Sequence, residues 1–179
     1  IPMNDAESHS IFWVNTPDLA SSLEDMQIQR GAGTSTNGAG AFGASINLRT
    51  AGIPSKAYAE VSGSYGSFNT HKETVRVGSG LLGNHWAFDT RISNIQSDGY
   101  RDRATSDLKS YFLQGGYYGE NTTLKLIAFG GKEKTYHAWD GISREQLETD
   151  RTYNPNGTKE TLSASMTTRL TITSRRIIN

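Results

Sequence analysis

The sequence predicts a mainly β chain whose larger part is a transmembrane antiparallel β-barrel, present in part as about five strands. Three observations predict it. Apolar residues recur with a strict period of two, the connections alternate between tight and long, and the composition is polar yet rich in glycine and rings. Hydrophobic residues are 35% of 179, beside 19 Gly, eight Tyr, six Phe and three Trp. So many rings do not belong to a disordered tract, and so few aliphatics suit two-faced sheets better than a large core.

Along the first fifty residues the elements are short. Thr16 can cap, Pro17 pre-sets the first helical dihedral and Asp18 suits the positive end of the dipole, so a helix is expected around Pro17 to Asp25. Met26 to Arg30 alternates as a strand that Gly31 ends, and Ala44 to Arg49 alternates again after a Gly/Ala/Ser/Thr stretch. Within that stretch Gly38, Gly40 and Gly43 have the G-x-G-x-x-G spacing of a dinucleotide site. That motif needs a helix after its last glycine and an acidic residue at the end of a later strand. Here a strand follows Gly43, and the best acidic candidate, Glu60, falls inside a strand. The glycines are better explained by close backbone packing and turns.

From Lys56 onward one theme repeats, about nine alternating residues and a turn. Ala57, Ala59, Val61 and Tyr65 share a face opposite Tyr58, Glu60, Ser62 and Ser64. Val75, Val77 and Leu81 oppose Thr74 and Arg76; Trp86, Phe88 and Ile92 oppose Asp89, Arg91 and Ser93. Tyr111, Leu113 and Tyr117 share a side, as do Leu124, Leu126 and Ala128 opposite Lys125, where Ile127 and Phe129 blur the pattern. "LLGNH" and "GENT" are tight connections, "GSFNTH" is intermediate, and "QSDGYRDRATSD" and "KEKTYHAWDGISREQLETDRTYNPNG" are long and polar. Segregation of short turns from long loops favours an outer-membrane barrel over a soluble sandwich.

Other classes lack support. Eighteen basic and eighteen acidic residues leave no net field to recruit nucleic acid. Without cysteine there is no disulfide frame or thiolate metal site. No apolar stretch approaches the ~20 residues of a membrane helix, and Ile1-Pro2-Met3 does not begin a signal peptide, so an exported protein would have its beginning upstream. No nucleophile elbow, H-E-x-x-H or oriented carboxylate pair points to an enzyme.

The stretch "MQIQRGAGTSTNGAGAFGASINLRT" resembles the C-terminal half of the plug domain of TonB-dependent outer-membrane receptors of the Bacteroidetes type. "IPMNDAESHSIFWVNTPDLASSLED" resembles the plug segment before it, and "AYAEVSGSYGSFNTHKETVRVGSG" the family's first barrel hairpin. Arg30-Gly31, Gly38, Gly43 and Asn47 match the plug motif, with Gly40 in the same small-residue loop. The resemblance implies residues 1–50 as the C-terminal part of an α/β plug and 51–157 as the first barrel strands, in the bacterial outer membrane. It further implies outer-membrane lipid as surroundings, the TonB complex as a partner acting on an upstream box, a scarce nutrient as ligand, and no cofactor. On that basis Glu60, Arg76, Asp89 and Arg91 face the lumen, and Val61, Tyr65, Val75, Val77, Trp86, Phe88, Tyr111 and Leu113 face lipid. The rival expectation is a soluble β-sandwich carbohydrate-binding module stacking sugar on Trp86, Tyr111 and Trp139.

Further candidates carry two readings each. Arg30 can meet a wall carboxylate or remain solvated, and Trp86, Tyr117 and Tyr118 can be interface anchors or sandwich core. The loop holding Tyr136, His137, Trp139 and Asp140 can touch substrate or be an ordered tip without ligand; His137 and Asp140 alone do not make a metal site. The sequons at Asn121 and Asn156 carry no meaning in a bacterial outer membrane. Residues 158–179 do not resemble the family's next strand and lack any aromatic residue. Because a frame shifted by two nucleotides permits a family-like strand there, this tail is expected to be a frameshifted reading, which genomic DNA decides.

Overall fold

The computed structural model of the chain describes residues 3–5, 7–8, 11, 13, 16–31, 43–136, 138, 140–156, 161–164 and 169–176. The chain is mainly β, in two antiparallel sheets. A two-stranded sheet pairs β1 (Leu23–Arg30) with β2 (Ala44–Thr50). A seven-stranded sheet contains β3 (Ala57–Tyr65), β4 (His71–Leu82), β5 (Trp86–Ser97), β6 (Ser106–Tyr118), β7 (Thr122–Tyr136), β8 (Thr161–Ala164) and β9 (Arg169–Arg176). Five of these, β3 to β7, follow in chain order as a meander, each on a run that alternates in the sequence.

Two expectations need correction. First, the helix around Pro17 to Asp25 is a single 3-10 turn, Leu19–Ser22, and the described residues among the first fifty carry no α/β plug fold. Asp18 adopts a left-handed backbone at φ 54, where it cannot start a regular helix, and its side chain turns to the large sheet instead of capping. Leu23 to Asp25 are drawn into β1 by pairing with Arg49 and Thr50, so cross-strand hydrogen bonds override local helix propensity. Second, the large sheet is open rather than closed into a barrel. β3 lies at one edge, and β8 and β9 lie end to end along the other, both on β7. The two strands after residue 157 bring the sheet to seven where about five were expected.

The long "KEKTYH" segment also differs. β7 continues to Tyr136, and the following loop contains α1 (Arg144–Thr149), started by a capping box between Ser143 and Gln146. Antiparallel order puts the tight turns at one end of the sheet. Gly83 and Asn84 both have positive φ, 54 and 60, the primed-turn geometry whose twist matches the flanking strands, in the three-residue connection between Leu82 and Trp86. At the other end lie residues 66–70, 98–105, 138 and 140–156. The chain leaves β2 and enters β3 at the tight-turn end, where Leu81 N donates to Ser55 O at 2.9 Å.

One face of the large sheet is bare and apolar. Val61 is 79% exposed and Ile92 60%, with Val75, Val77, Leu82, Phe88, Leu113, Leu124 and Leu126 also exposed; a bulge at Ser79 shifts the register, so Leu81, expected on this face, lies opposite Ala87 of the other. The opposite face is polar and covered. Asp89, Arg91, Ser93, Ser110 and Gln114 are buried, together with Phe112 and, from the covering segment, Leu19 and Ser22.

Candidate functional site

The candidate site is the seam where residues 17–22 and 50–51 rest on the polar face. Strand register builds that face in rows. Tyr58, Gly78, Asp89 and Gln114 form one; Glu60, Arg76, Arg91 and Phe112 the next; Ser62, Thr74, Ser93, Ser110 and Gly131 a third. Period-two strands put every second side chain here, which is why residues far apart in sequence meet.

Arg76 and Arg91 are directly opposed, an arrangement that like charge disfavours. Two carboxylates offset it. Asp89, with a fully buried side chain, accepts from Arg76 Nη2 at 3.3 Å and from the Tyr58 hydroxyl. Tyr58 reaches it from β3 by lying across β4, where a Cβ on Gly78 would come within 2.2 Å of its ring. The second carboxylate, Asp18, belongs to the covering segment. It pairs with Arg91, whose side chain is 3% exposed, and with Lys72 Nζ at 2.6 Å. Arg91 Nε also donates to Ser22 Oγ at 2.7 Å, and Ser93 Oγ donates to Asp18 Oδ2 at 2.6 Å and bonds Ser110 Oγ at 2.7 Å.

Burial opposes ionisation of Asp18, but hydrogen bonds from Lys72, Ser21 and Ser93 and the charge of Arg91 outweigh it. The carboxyl is held below its ordinary value of 3.8. The pair is charge-assisted and little exposed, so removing one partner leaves an uncompensated charge at a cost of about 3–5 kcal/mol.

Three further contacts seat residues 17 and 50–51 on this face. Pro17 lies where a Cβ on Gly131 would be, at 2.5 Å, so the bare backbone of β7 accepts the ring. Gln114 Nε2 donates to Ala51 O at 3.0 Å, and Lys125 Nζ to Thr50 Oγ1 at 3.4 Å. Beside the seam a polar cavity of about 160 Å³ is lined by Ser21, Glu60, Ser62, Lys72, Thr74, Arg76 and Arg91. A cleft of about 480 Å³ lies between the β2–β3 connection and Tyr58.

The structure brings Arg76, Asp89 and Arg91 together and places Glu60 at the exposed rim of the same face. Arg30 is exposed at the end of β1, with no ion pair among the described residues; Asp18 makes the contact with the sheet that Arg30 was a candidate for. Gly31 takes φ 79, which glycine adopts freely, and its N donates to Gly43 O at 2.8 Å. A Cβ at Gly31 or Gly43 would meet open space, so close packing is not their reason here. Asn47 is exposed opposite Gln27. Gly38, Gly40, His137 and Trp139 lie outside the described residues.

Tyr136 ends β7, and Asp140 is fastened into a loop assembly by Asn156 Nδ2 at 2.9 Å. Arg101 organises that assembly, donating to Ala138 O at 2.7 Å, Asp140 O at 2.9 Å and Tyr153 O. Arg103 similarly holds Asn154 O and Asn156 O. Sequence reasoning missed Lys72 and Gln114, which the alternation marks as polar-face residues, and Asp18, Ser22 and Arg101, for which no local pattern exists.

No protein family, curated protein or solved structure matches the chain.

Proposed function

We propose that the chain is part of a TonB-dependent outer-membrane receptor, with residues 1–50 from its plug and 51–157 the first strands of its barrel. The carrying observation is the two-sidedness of the large sheet. The bare face suits hydrocarbon, and the buried polar face suits a lumen that a plug segment fills.

Dimensions support the reading. On β5 the outward residues run Trp86, Phe88, Thr90 and Ile92 before the polar Asn94, and on β6 they run Tyr117, Gly115, Leu113 and Tyr111 before Lys109. Seven residues at ~3.4 Å each, on strands tilted by ~40°, rise about 18 Å, most of the ~25 Å apolar band of such barrels. At the tight-turn end Trp86 and Tyr117 have ring centroids 4.9 Å apart, and His85 lies 5.6 Å from Tyr117, forming an aromatic group at one border of the band.

In the parent receptor the extracellular loops capture a scarce nutrient such as an iron complex, a cobalamin or a glycan, and TonB acts on an upstream box. The Asp18–Arg91–Lys72 seam is then the contact that such a pull has to break. A soluble carbohydrate-binding sandwich fits less well. It would bury the apolar face against a second sheet, whereas residues 50–51, leading out of the second sheet, lie on the polar face.

Leu113→Arg tests the reading, because Leu113 sits mid-band and is already exposed. In lipid this change costs about 2–4 kcal/mol; on a water-facing surface it stays within about 0.5 kcal/mol. Denaturant titration of the chain refolded with phosphatidylcholine vesicles measures the difference. A vesicle-independent, monodisperse soluble protein that tolerates the arginine would overturn the proposal.

A further inference from the structure

Above the apolar band the outward face changes character within one residue step. Lys109 on β6 and Lys132 on β7 are directly opposed, and Lys134 follows two residues on, opposite Asp107. All three lysines are exposed, the Lys109 side chain by 63%. Cross-strand partners have Cβ atoms about 4.5–5.5 Å apart, and like charges so placed repel. One neighbouring carboxylate relieves this only in part. Asp107 Oδ2 is 3.9 Å from Lys109 Nζ, while Glu73 is two strands away from β6 and accepts from Asn94 Nδ2 at 2.9 Å. Among the described residues Lys132 and Lys134 make no ion pair. Glu133, between them in sequence, points to the other face. Among the described residues the cluster therefore holds three ammonium groups against one adjacent carboxylate, just beyond the apolar band.

Resting on the outer-membrane reading above, we infer that Lys109, Lys132 and Lys134 form a binding site for the phosphate of an anionic lipid headgroup at the border of the bilayer. Tyr111, two residues below Lys109 and opposite Gly130, borders the site on the hydrocarbon side. The long lysine stems lie along apolar surface while their ammonium groups reach the phosphate layer. A phosphate set among the three relieves the Lys109–Lys132 repulsion, so the bound anion offsets a cost already built into the sheet. Charge complementarity selects an anionic headgroup over a zwitterionic one.

Flotation of the refolded chain with phosphatidylcholine vesicles, with and without phosphatidylglycerol, tests this. The expected result is tighter association with the phosphatidylglycerol vesicles, by about fivefold for each lysine engaged. The K109Q/K132Q/K134Q variant should lose that enhancement and keep its association with phosphatidylcholine. A control, R144Q, removes an exposed charge from α1 and should retain the enhancement. Equal binding to both vesicles, or an enhancement that survives in the triple variant, overturns the lipid-phosphate site and leaves the membrane reading standing. Loss of the enhancement to millimolar inorganic phosphate at matched ionic strength assigns the lysines to a free anion and also overturns it. A chain that floats with neither vesicle overturns both readings.

Discussion

Asp18→Asn isolates the energetics of the seam. Asp18 is 7% exposed and Arg91 3%, so the substitution leaves a buried guanidinium facing a neutral amide oxygen and the hydroxyls of Ser22 and Ser93, with no carboxylate on this side. Stranding such a charge costs about 3–5 kcal/mol. Asparagine keeps one acceptor oxygen, so the lower end applies. At 1.4 kcal/mol per decade, 3 kcal/mol is about 150-fold in the opening equilibrium of the segment. Hydrogen exchange reads this directly. The Leu19 and Ser21 amides bond Thr16 O and Asp18 O within the turn, and Ala51 N bonds Ser22 O, so all three should exchange about 150-fold faster while β5 and β6 keep their protection. Acid should act on the same contact. The Asp18 carboxyl is held below 3.8, so its stabilisation is present in full above the unfolded value and is lost as pH falls through the lower folded one. The Asn variant lacks that acid-dependent component. In an Arg91→Met background the Asp18→Asn cost should shrink to below about 1 kcal/mol, since no guanidinium is left to strand. Exchange at Leu19, Ser21 and Ala51 that changes by less than threefold in the single variant would refute the reasoning.

Three other outcomes follow from the same geometry. Tyr58→Phe deletes one donor to the buried Asp89 and leaves Arg76 and Gln114, so denaturant titration in vesicles should show a loss of about 1–3 kcal/mol. Gly131→Val puts a side chain where Pro17 rests. The new Cβ also meets Lys109 O on β6, so overpacking of about 1–3 kcal/mol should raise exchange both across residues 16–22 and at the β6–β7 amides beside Lys109 and Gly131. Arg101→Met removes the donors holding Ala138 O, Asp140 O and Tyr153 O, so limited proteolysis should cut within residues 137–156 several times faster without altering vesicle association.

How much of this was legible depends on distance along the chain. β3 was readable to the residue, because Ala57 to Tyr65 alternates without interruption and turns bound it. β6 and β7 ran further than expected, the first back to Ser106 and the second on to Tyr136, since extra ladder hydrogen bonds with a neighbour extend strands past the hydrophobic pattern. The faces were readable as well. Val75 and Val77 are bare and Asp89 and Arg91 are covered, as period-two geometry requires. The helix near Pro17 was not, because its signals are local and the pairing of Leu23 to Asp25 with Arg49 and Thr50 is not.

By itself the sequence determined the existence of β1 to β7, most of their two faces and the tight-turn end, consequences of backbone geometry acting over neighbouring residues, whereas β8 and β9 and the bulge that turns Leu81 over were not legible. The tertiary structure alone decided that Asp18 meets Arg91, that Pro17 sits on Gly131, that Arg101 ties the loops together and that three lysines crowd one outward patch. Those contacts join positions far apart in the chain. Strand register and sheet order, which no local pattern encodes, set which charges come within a few ångströms of one another.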